Sequence, residues 1–246
     1  MDLHVIASSS KGNCCAVTSG GNTLLLDCGV PWGAIKAALG YETRRVVGCL
    51  VTHEHSDHAK ALRDVMGAGI DSYMTAGTAA AKGAAGHRLR VVKAENAYQT
   101  EHFSVFPFKV RHDAEEPVGF LVGCKETGAR LLYAVDTCGI EQAFSGLHYI
   151  LVECNHCDDI AEARASSGEI TAAHYRRLVI NHMSLRSLKR YLSVCDLSLA
   201  RQIVLMHLSD NNSDENQMLH EIGELTRVPT VAATAGLRMG LRLCPF

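Results

Sequence analysis

A six-residue polar loop constrains the fold of this chain more than any other feature. Residues 53–58 are His-Glu-His-Ser-Asp-His, and they follow the apolar, β-branched residues 46–51. Those residues predict a buried strand, and residues 59–66 predict a helix that Gly67 ends in a left-handed conformation. Three imidazoles and one carboxylate exceed what one tetrahedral ion usually takes from adjacent residues. The loop therefore predicts a centre for two metal ions between a strand and a helix.

Composition is typical of a globular protein with a full apolar core. The chain has 246 residues, of which 47% are hydrophobic, and no linker-like tract divides it, so we expect a single domain over residues 1–246. Ten cysteines are too sparse for a disulfide scaffold. Residues 1–6 lack the features of a signal peptide and no run is long enough to span a membrane, so we expect a cytoplasmic protein with reduced thiols.

Strands alternate with helices along the chain. Strands are predicted at residues 3–7, 15–18, 23–27, 46–51, 72–75, 89–92, 102–110, 118–123, 130–135, 149–152, 203–206 and 237–243. Helices are predicted after Pro31, at residues 59–66, in a helical region after residue 152, after the Ser184 cap and from residue 213. Strands mixed with helices at both ends predict an α/β (α+β) fold in which helices cover the sheets.

Further metal ligands are expected just after other apolar strands, where the backbone geometry repeats. The predicted ligands are His53, His55 and His112 for one ion, Asp57, His58 and His207 for the other, and Asp136 as a bridge. A water between two cations loses a proton near neutral pH and becomes a hydroxide that can attack a substrate. Imidazole and carboxylate ligands accept zinc, manganese or iron, so the metal stays open.

The spacing of these ligands resembles that of the metallo-β-lactamase-fold hydrolases, and more closely that of their YycJ-like (WalJ) branch. The segments that carry the resemblance are residues 7–14, 24–29, 53–58, 112–114, 117–120, 135–137 and 207–212. The resemblance implies a four-layer αββα sandwich and 5′-to-3′ exonuclease activity on DNA. One departure is Asn181, because the branch usually has glycine before the following histidine.

Several other residues have predicted supporting roles. By resemblance, Asp27 would brace the histidine loop by hydrogen bonding, although an aspartate in a strand-end turn is an equally ordinary interpretation. His182 would contact the scissile phosphate or protonate the leaving oxygen, helix capping being the alternative, and Glu153 would orient it. Asp57 is counted as catalytic as well as metal-binding. The candidate phosphate-binding residues are Ser8, Ser10, Lys11, Asn13 and Ser209.

The leading hypothesis is a two-metal phosphodiesterase acting on nucleic acid, DNA more than RNA. A net charge of −2 does not point to nucleic acid, but residues 170–195 carry five arginines and lysines and no acidic residue. The alternative is a hydrolase of a small phosphodiester such as a cyclic nucleotide. A redox di-iron protein of the same fold would have Glu in place of His55. We do not expect a second metal site at residues 154–157, because the sequence lacks the second cysteine pair that a zinc knuckle needs.

Overall fold

Two sheets of seven strands each form the centre of this computed structural model, which describes residues 1–243. The strands are β1 (Asp2–Ser9), β2 (Gly12–Ser19), β3 (Asn22–Leu26), β4 (Val46–Leu50), β5 (Ser72–Met74), β6 (Leu89–Val91), β7 (Tyr98–Gln99), β8 (Phe103–Lys109), β9 (Val118–Cys124), β10 (Arg130–Ala134), β11 (Tyr149–Glu153), β12 (Gln202–Met206), β13 (Thr230–Ala232) and β14 (Arg238–Gly240). The helices are α1 (Trp32–Ala38), α2 (Ser56–Ala59), α3 (Leu62–Gly67), α4 (Ala76–Lys82), α5 (Asp158–Ser166), α6 (Ala172–Asn181), α7 (Leu185–Val194) and α8 (Glu215–Thr226), and a 3₁₀ turn covers Thr43–Arg45.

Each sheet is antiparallel on one side and parallel on the other. The first sheet has the order β14-β1-β2-β3-β4-β5-β6 and is parallel from β3 to β6. The second has the order β13-β12-β11-β10-β9-β8-β7 and is parallel from β10 to β13. Since the carboxyl ends of parallel strands meet at one edge of a sheet, side chains that follow these strands are brought together there.

Apolar side chains alternate between the two faces of each sheet and divide the structure into layers. In β3, Leu24 and Leu26 lie in the core between the sheets, whereas Leu25 packs with the helices of the first half. In β12, Val204 faces the same central core and Ile203 packs with α7 and α8. Successive residues of a strand point to opposite faces, so three apolar cores separate four layers. The predicted α/β four-layer αββα sandwich is confirmed.

The helix predicted at residues 59–66 is interrupted. Residues 60 and 61 separate α2 from α3, because the amide of Ala61 donates to the carbonyl of Cys28 at 2.9 Å and leaves the helical ladder. The prediction for Gly67 was wrong: it is the last residue of α3, and the left-handed residue is Gly69, with a φ of 87°. The predicted strand at residues 237–243 is shorter, and α4, β7 and β13 were not predicted.

The remaining expectations about the whole chain have different outcomes. Within residues 1–243, no helix combines the length and the apolar character needed to cross a bilayer. The nine cysteines in the described part of the chain have free thiols. The single domain over residues 1–246 stays a prediction, and residues 244–246 lie outside the described residues.

Gly29 gives the first testable prediction, because it lies where the end of β3 meets the histidine loop. A Cβ atom on Gly29 would lie 1.6 Å from the carbonyl oxygen of Asp57. We therefore expect Gly29→Ala to lower the free energy of unfolding by at least about 2 kcal/mol, measured by urea denaturation. Gly33→Ala is the matched control, because a Cβ there meets nothing within 4 Å and alanine favours the α1 helix. Equal midpoints for Gly29→Ala and the wild type would contradict this prediction.

Candidate metal centre

Every predicted metal ligand lies just beyond the carboxyl end of a strand. His53, His55, Asp57 and His58 follow β4, and the other three, His112, Asp136 and His207, follow β8, β10 and β12. The two sheets face each other across the central core, so these strand ends converge at one edge of the sandwich. The fold thus brings residues that are up to 154 positions apart in the chain, His53 and His207, to the same edge.

Three residues at this edge have left-handed backbone conformations without being glycine. The φ angles are 59° for Asp27, 50° for Asp136 and 56° for His207. Such conformations are uncommon outside glycine and cluster at functional sites. Hydrogen bonds hold two of these turns: the amide of Asp27 donates to the carbonyl of Leu50 at 2.8 Å, and the amide of His207 donates to Ser8 Oγ at 2.8 Å.

The first predicted ligand set is brought together. Nε2 of His53 lies 3.1 Å from Nδ1 of His55, and Nε2 of His112 lies 3.2 Å from the same atom. The three imidazoles form one cluster of candidate ligands within 4.8 Å of one another. Burial and the neighbouring His58 hold the pKa of His53 well below its usual range, so its imidazole is neutral at pH 7, as a metal ligand must be.

Asp136 lies between two groups of histidines. Its Oδ2 is 3.0 Å from Nε2 of His58 and 3.7 Å from Nε2 of both His53 and His112. Its Oδ1 is 3.3 Å from Nδ1 of His207. One carboxylate therefore faces the histidine loop with one oxygen and the opposite side of the site with the other. This is the arrangement that a bridging ligand requires.

The second predicted ligand set is less compact. Asp57 Oδ2 is 3.6 Å from Nε2 of His58, but within the described residues Asp57, His58 and His207 do not form one cluster. His207 instead clusters with Asp136, Glu153 and His182. Its Nδ1 lies 3.2 Å from Oε1 of Glu153 and 3.2 Å from the side-chain amide nitrogen of Asn155. This ligand set stays a prediction.

Two buried polar atoms test whether the residues fit a metal. Nε2 of His207 and Oδ1 of Asp136 have no hydrogen-bond partner, although both side chains are almost fully buried. Buried polar atoms without a partner cost free energy, and such atoms usually have a ligand, a water or an ion. Imidazole nitrogen and carboxylate oxygen are ligands for Zn²⁺, Mn²⁺ and Fe²⁺. The site therefore fits a metal centre.

Asp27 makes the contacts that its predicted bracing role needs. Its Oδ1 accepts from the amide of Thr52 at 2.8 Å, and its Oδ2 accepts from Nδ1 of His58 at 2.8 Å and from the hydroxyl of Tyr133 at 2.9 Å. Because Nδ1 of His58 is held by Asp27, Nε2 is the ring nitrogen of His58 that a metal would take. Neither Thr52 nor Tyr133 was predicted. Thr52 directly precedes the histidine loop, but no feature of the sequence distinguishes Tyr133.

Glu153 and His182 form a buried pair beside Asp136. Oε1 of Glu153 lies 2.7 Å from Nδ1 of His182, and Oε2 accepts from the amide of Thr137 at 2.8 Å. Burial alone would lower the pKa of His182, but the Glu153 carboxylate outweighs it and raises this pKa to about 9. His182 is therefore protonated at neutral pH, and its side chain is 22% exposed while that of Glu153 is 0% exposed.

The predicted departure at Asn181 causes no backbone strain. Asn181 is the last residue of α6 and has no positive φ, so the position does not require glycine. Its carbonyl oxygen lies 3.3 Å from Nδ1 of His112, which it can accept a hydrogen bond from. Asn181 thus connects the end of α6 to one of the predicted ligands.

The predicted phosphate-binding residues divide into two kinds. Ser10 and Lys11 are exposed. The other three are engaged within the protein: Ser8 Oγ accepts from the amide of His207, Asn13 Nδ2 donates to the carbonyl of Ser9, and Ser209 Oγ accepts from the amide of Asn212. Phosphate binding by all five stays a prediction.

The cysteine pair at residues 154–157 lies in an apolar core. Cys154 and Cys157 belong to no cluster of candidate metal ligands among residues 1–243. Both side chains are buried and pack with the core under α7 and α8, and burial raises the pKa of both thiols. They are core residues.

The chain belongs to the metallo-β-lactamase superfamily. The model of this family matches residues 10–134, which is about half of the chain. The match includes the histidine loop and His112, and it ends just before Asp136. A comparison with curated proteins finds no match.

Solved structures with the same fold cover nearly the whole chain. Zn²⁺-bound PqqB from Methylobacterium extorquens has a TM-score of 0.73 and 16% identity, covering 98% of this chain and 100% of that chain. A diphosphatase from the PhnP family has a TM-score of 0.65 and 16% identity, covering 97% and 96%. The short form of human tRNase Z has a TM-score of 0.59 and 14% identity, covering 98% and 100%. At these identities the likeness shows the fold alone.

The second prediction concerns Asp27, which holds His58 in place without facing the ligand cluster. We expect Asp27→Asn to weaken metal binding about 10- to 100-fold, because an amide nitrogen would oppose one of the donors that now point at the carboxylate. Titration of the metal-free protein with Zn²⁺ or Mn²⁺ against a chromophoric chelator measures the affinity. Asp196→Asn is the control, because Asp196 is exposed and its carboxylate accepts a hydrogen bond from the amide of Ser198, far from the histidine loop in the sequence. Equal affinities for both variants would exclude a bracing role for Asp27.

Proposed function

We propose that this protein is a metal-dependent phosphodiesterase that acts on nucleic acid, and specifically a 5′-to-3′ exonuclease on DNA. The two-sided position of Asp136, between the histidine loop and His207, carries the proposal, because it is what a two-metal hydrolase needs. The preference for DNA and the polarity come from the YycJ-like (WalJ) branch, to which we assign the chain on its sequence segments. Two structures of the same fold are named as a diphosphatase and a tRNase Z, which supports phosphate-ester chemistry.

The metal ligands of the proposal are the predicted ones. The residues that would hold two divalent ions, zinc or manganese with iron as a further possibility, are His53, His55, Asp57, His58, His112, Asp136 and His207. When bound, such ions supply a nucleophile derived from water and stabilise the negative oxygens around phosphorus. The chain itself contributes a rigid frame, since Asp27 orients His58 and Ser8 holds the backbone of His207.

His182 would donate a proton to the leaving oxygen. Its Nδ1 is bonded to Glu153, so Nε2 carries the proton that is available to a substrate. The raised pKa keeps this proton in place at neutral pH, and the exposed part of the ring can reach a bound ester. Glu153 is a positioning residue, because it is fully buried and acts through His182.

The third prediction separates the two catalytic roles. Asp57→Ala should abolish or strongly reduce hydrolysis and also lower the metal content, because Asp57 is a proposed ligand. His182→Ala should reduce kcat by about 100- to 10,000-fold, the usual contribution of a general acid, and should retain the metal. Elemental analysis beside a nuclease assay measures both quantities.

The control for this prediction is His220→Ala, which removes an exposed histidine on α8. Its activity and metal content should match those of the wild type. Undiminished activity in Asp57→Ala would contradict the two-metal assignment, and undiminished activity in His182→Ala would exclude proton donation by this residue.

The fourth prediction tests the substrate class. End-labelled single- and double-stranded DNA and RNA are incubated with the protein and added Zn²⁺ or Mn²⁺, beside a cyclic dinucleotide and a chelator control. We expect stepwise shortening of DNA from the 5′ end, abolished by the chelator. Intact polymers together with an opened cyclic dinucleotide would replace the nuclease by a hydrolase of small phosphodiesters.

A further inference from the structure

A groove along helix α6 opens onto His182. Its cavity volume is about 430 Å³, and its walls include Thr171, His174, Arg177 and Asn181 of the α6 segment together with His182. These α6 residues are three or four positions apart, which places them on one face of the helix. The groove therefore starts at the proposed proton donor and continues along α6 toward its amino end.

The charge of this groove is positive, and no acidic residue lines it. Arg177 is exposed and forms no salt bridge with any residue between 1 and 243. Two other cations from the same stretch of sequence are neutralised: Arg186 pairs with Asp158 at 3.7 Å, and Lys189 pairs with Glu221 at 2.6 Å. Arg177 is thus available to an anionic ligand.

The geometry of helix α6 relates Arg177 and His174 to the proposed reaction centre. Arg177 precedes His182 by five positions and His174 precedes it by eight, and a helix rises about 1.5 Å per residue, so they lie roughly 7 and 12 Å along the axis. Phosphates in a nucleic acid strand succeed one another every 3.4 Å or so along a duplex axis and further apart in an extended strand. The two side chains therefore lie about one to four phosphates away from a phosphate at His182.

We propose that the α6 groove binds the phosphates next to the scissile one, with Arg177 as the main contact and His174 as the second, so that the substrate is a nucleic acid strand. This inference rests on the proposed phosphodiesterase function. A cyclic nucleotide or an isolated diester has no phosphate at this distance and leaves the groove unused. The groove is therefore a specificity determinant for polymers.

The test compares substrates that differ in neighbouring phosphates. The substrates are a single-stranded DNA oligonucleotide, the same oligonucleotide with one neutral methylphosphonate at each position near the cleaved bond in turn, and bis(p-nitrophenyl) phosphate. We expect one methylphosphonate position to lower kcat/KM of the wild type about tenfold, as for the loss of one charge-assisted hydrogen bond in a partly exposed site. Arg177→Gln should lower kcat/KM for the unmodified oligonucleotide by a similar factor. The sensitive methylphosphonate should then lower kcat/KM of Arg177→Gln no further, because the contact between Arg177 and that phosphate is already lost.

Arg176→Gln is the matched control. Arg176 is the adjacent residue of the same helix, is also exposed, forms no salt bridge with a described residue and lies outside the groove. It should leave the ratio of kcat/KM for DNA to that for bis(p-nitrophenyl) phosphate unchanged, whereas Arg177→Gln should lower this ratio about tenfold. Circular dichroism and a melting curve check that both variants fold.

The outcomes separate this inference from the function on which it rests. Two results would overturn the groove assignment while the phosphodiesterase stands. In the first, the wild type hydrolyses DNA but Arg177→Gln behaves as Arg176→Gln does. In the second, every methylphosphonate lowers kcat/KM of Arg177→Gln by the same factor as in the wild type. If the wild type hydrolyses only bis(p-nitrophenyl) phosphate, the polymer substrate is overturned. If it hydrolyses neither compound with Zn²⁺ or Mn²⁺, the proposed function fails and the inference fails with it.

Discussion

The carboxylate of Asp27 is the point on which the geometry of the metal centre depends. It is fully buried, and a buried carboxylate is tolerated only when hydrogen-bond donors or charges compensate for its lost hydration. Here the donors are Thr52 directly before the histidine loop, His58 within the loop, and Tyr133 of β10 in the opposite sheet. One side chain therefore joins both sheets to the ligand loop. The loop is positioned by the same contacts that make the carboxylate tolerable in the core.

Backbone conformation supplies the second part of this rigidity. Asp27, Asp136 and His207 are left-handed, each within two residues of the end of a strand, at a cost of about 1–3 kcal/mol for each such residue. The strands continue into packed cores on both faces, so the turns cannot relax without disturbing those cores. Ligands held in this way bind ions without a loss of conformational entropy from ordering the loop. Close packing at Gly29 also restricts the position of the loop, because only glycine lets the segment after β3 approach the carbonyl of Asp57.

Sequence patterns predicted the parts of the site that depend on local order. The position of His53 to His58 after an apolar strand, and of Asp136 and His207 after two others, follows from strand ends that the chain marks with a change from apolar to polar residues. The residues that hydrogen-bond to this site from distant parts of the chain could not be predicted in this way. Tyr133 meets Asp27 across 106 positions, and a buried tyrosine in a strand has no sequence feature that distinguishes it from other core residues. The break between α2 and α3 escaped prediction for a similar reason, because it depends on a hydrogen bond to Cys28 from a different element.

In the basic stretch at residues 170–195, the salt-bridge partners decide which charges are available to a ligand. In the sequence its arginines and lysines are equivalent, and such a run is as often a solvated surface as a phosphate-binding one. In the structure, Arg186 and Lys189 pair with carboxylates of α5 and α8, so their charges are used for packing helices against one another. Arg177 has no such partner among residues 1–243, and it lines the groove that ends at His182. Recognition of a nucleic acid strand depends on the charge along the path of the substrate. The unpaired Arg177 beside the proposed reaction centre therefore supports a polyanionic substrate, and it outweighs the slightly negative net charge of the whole chain.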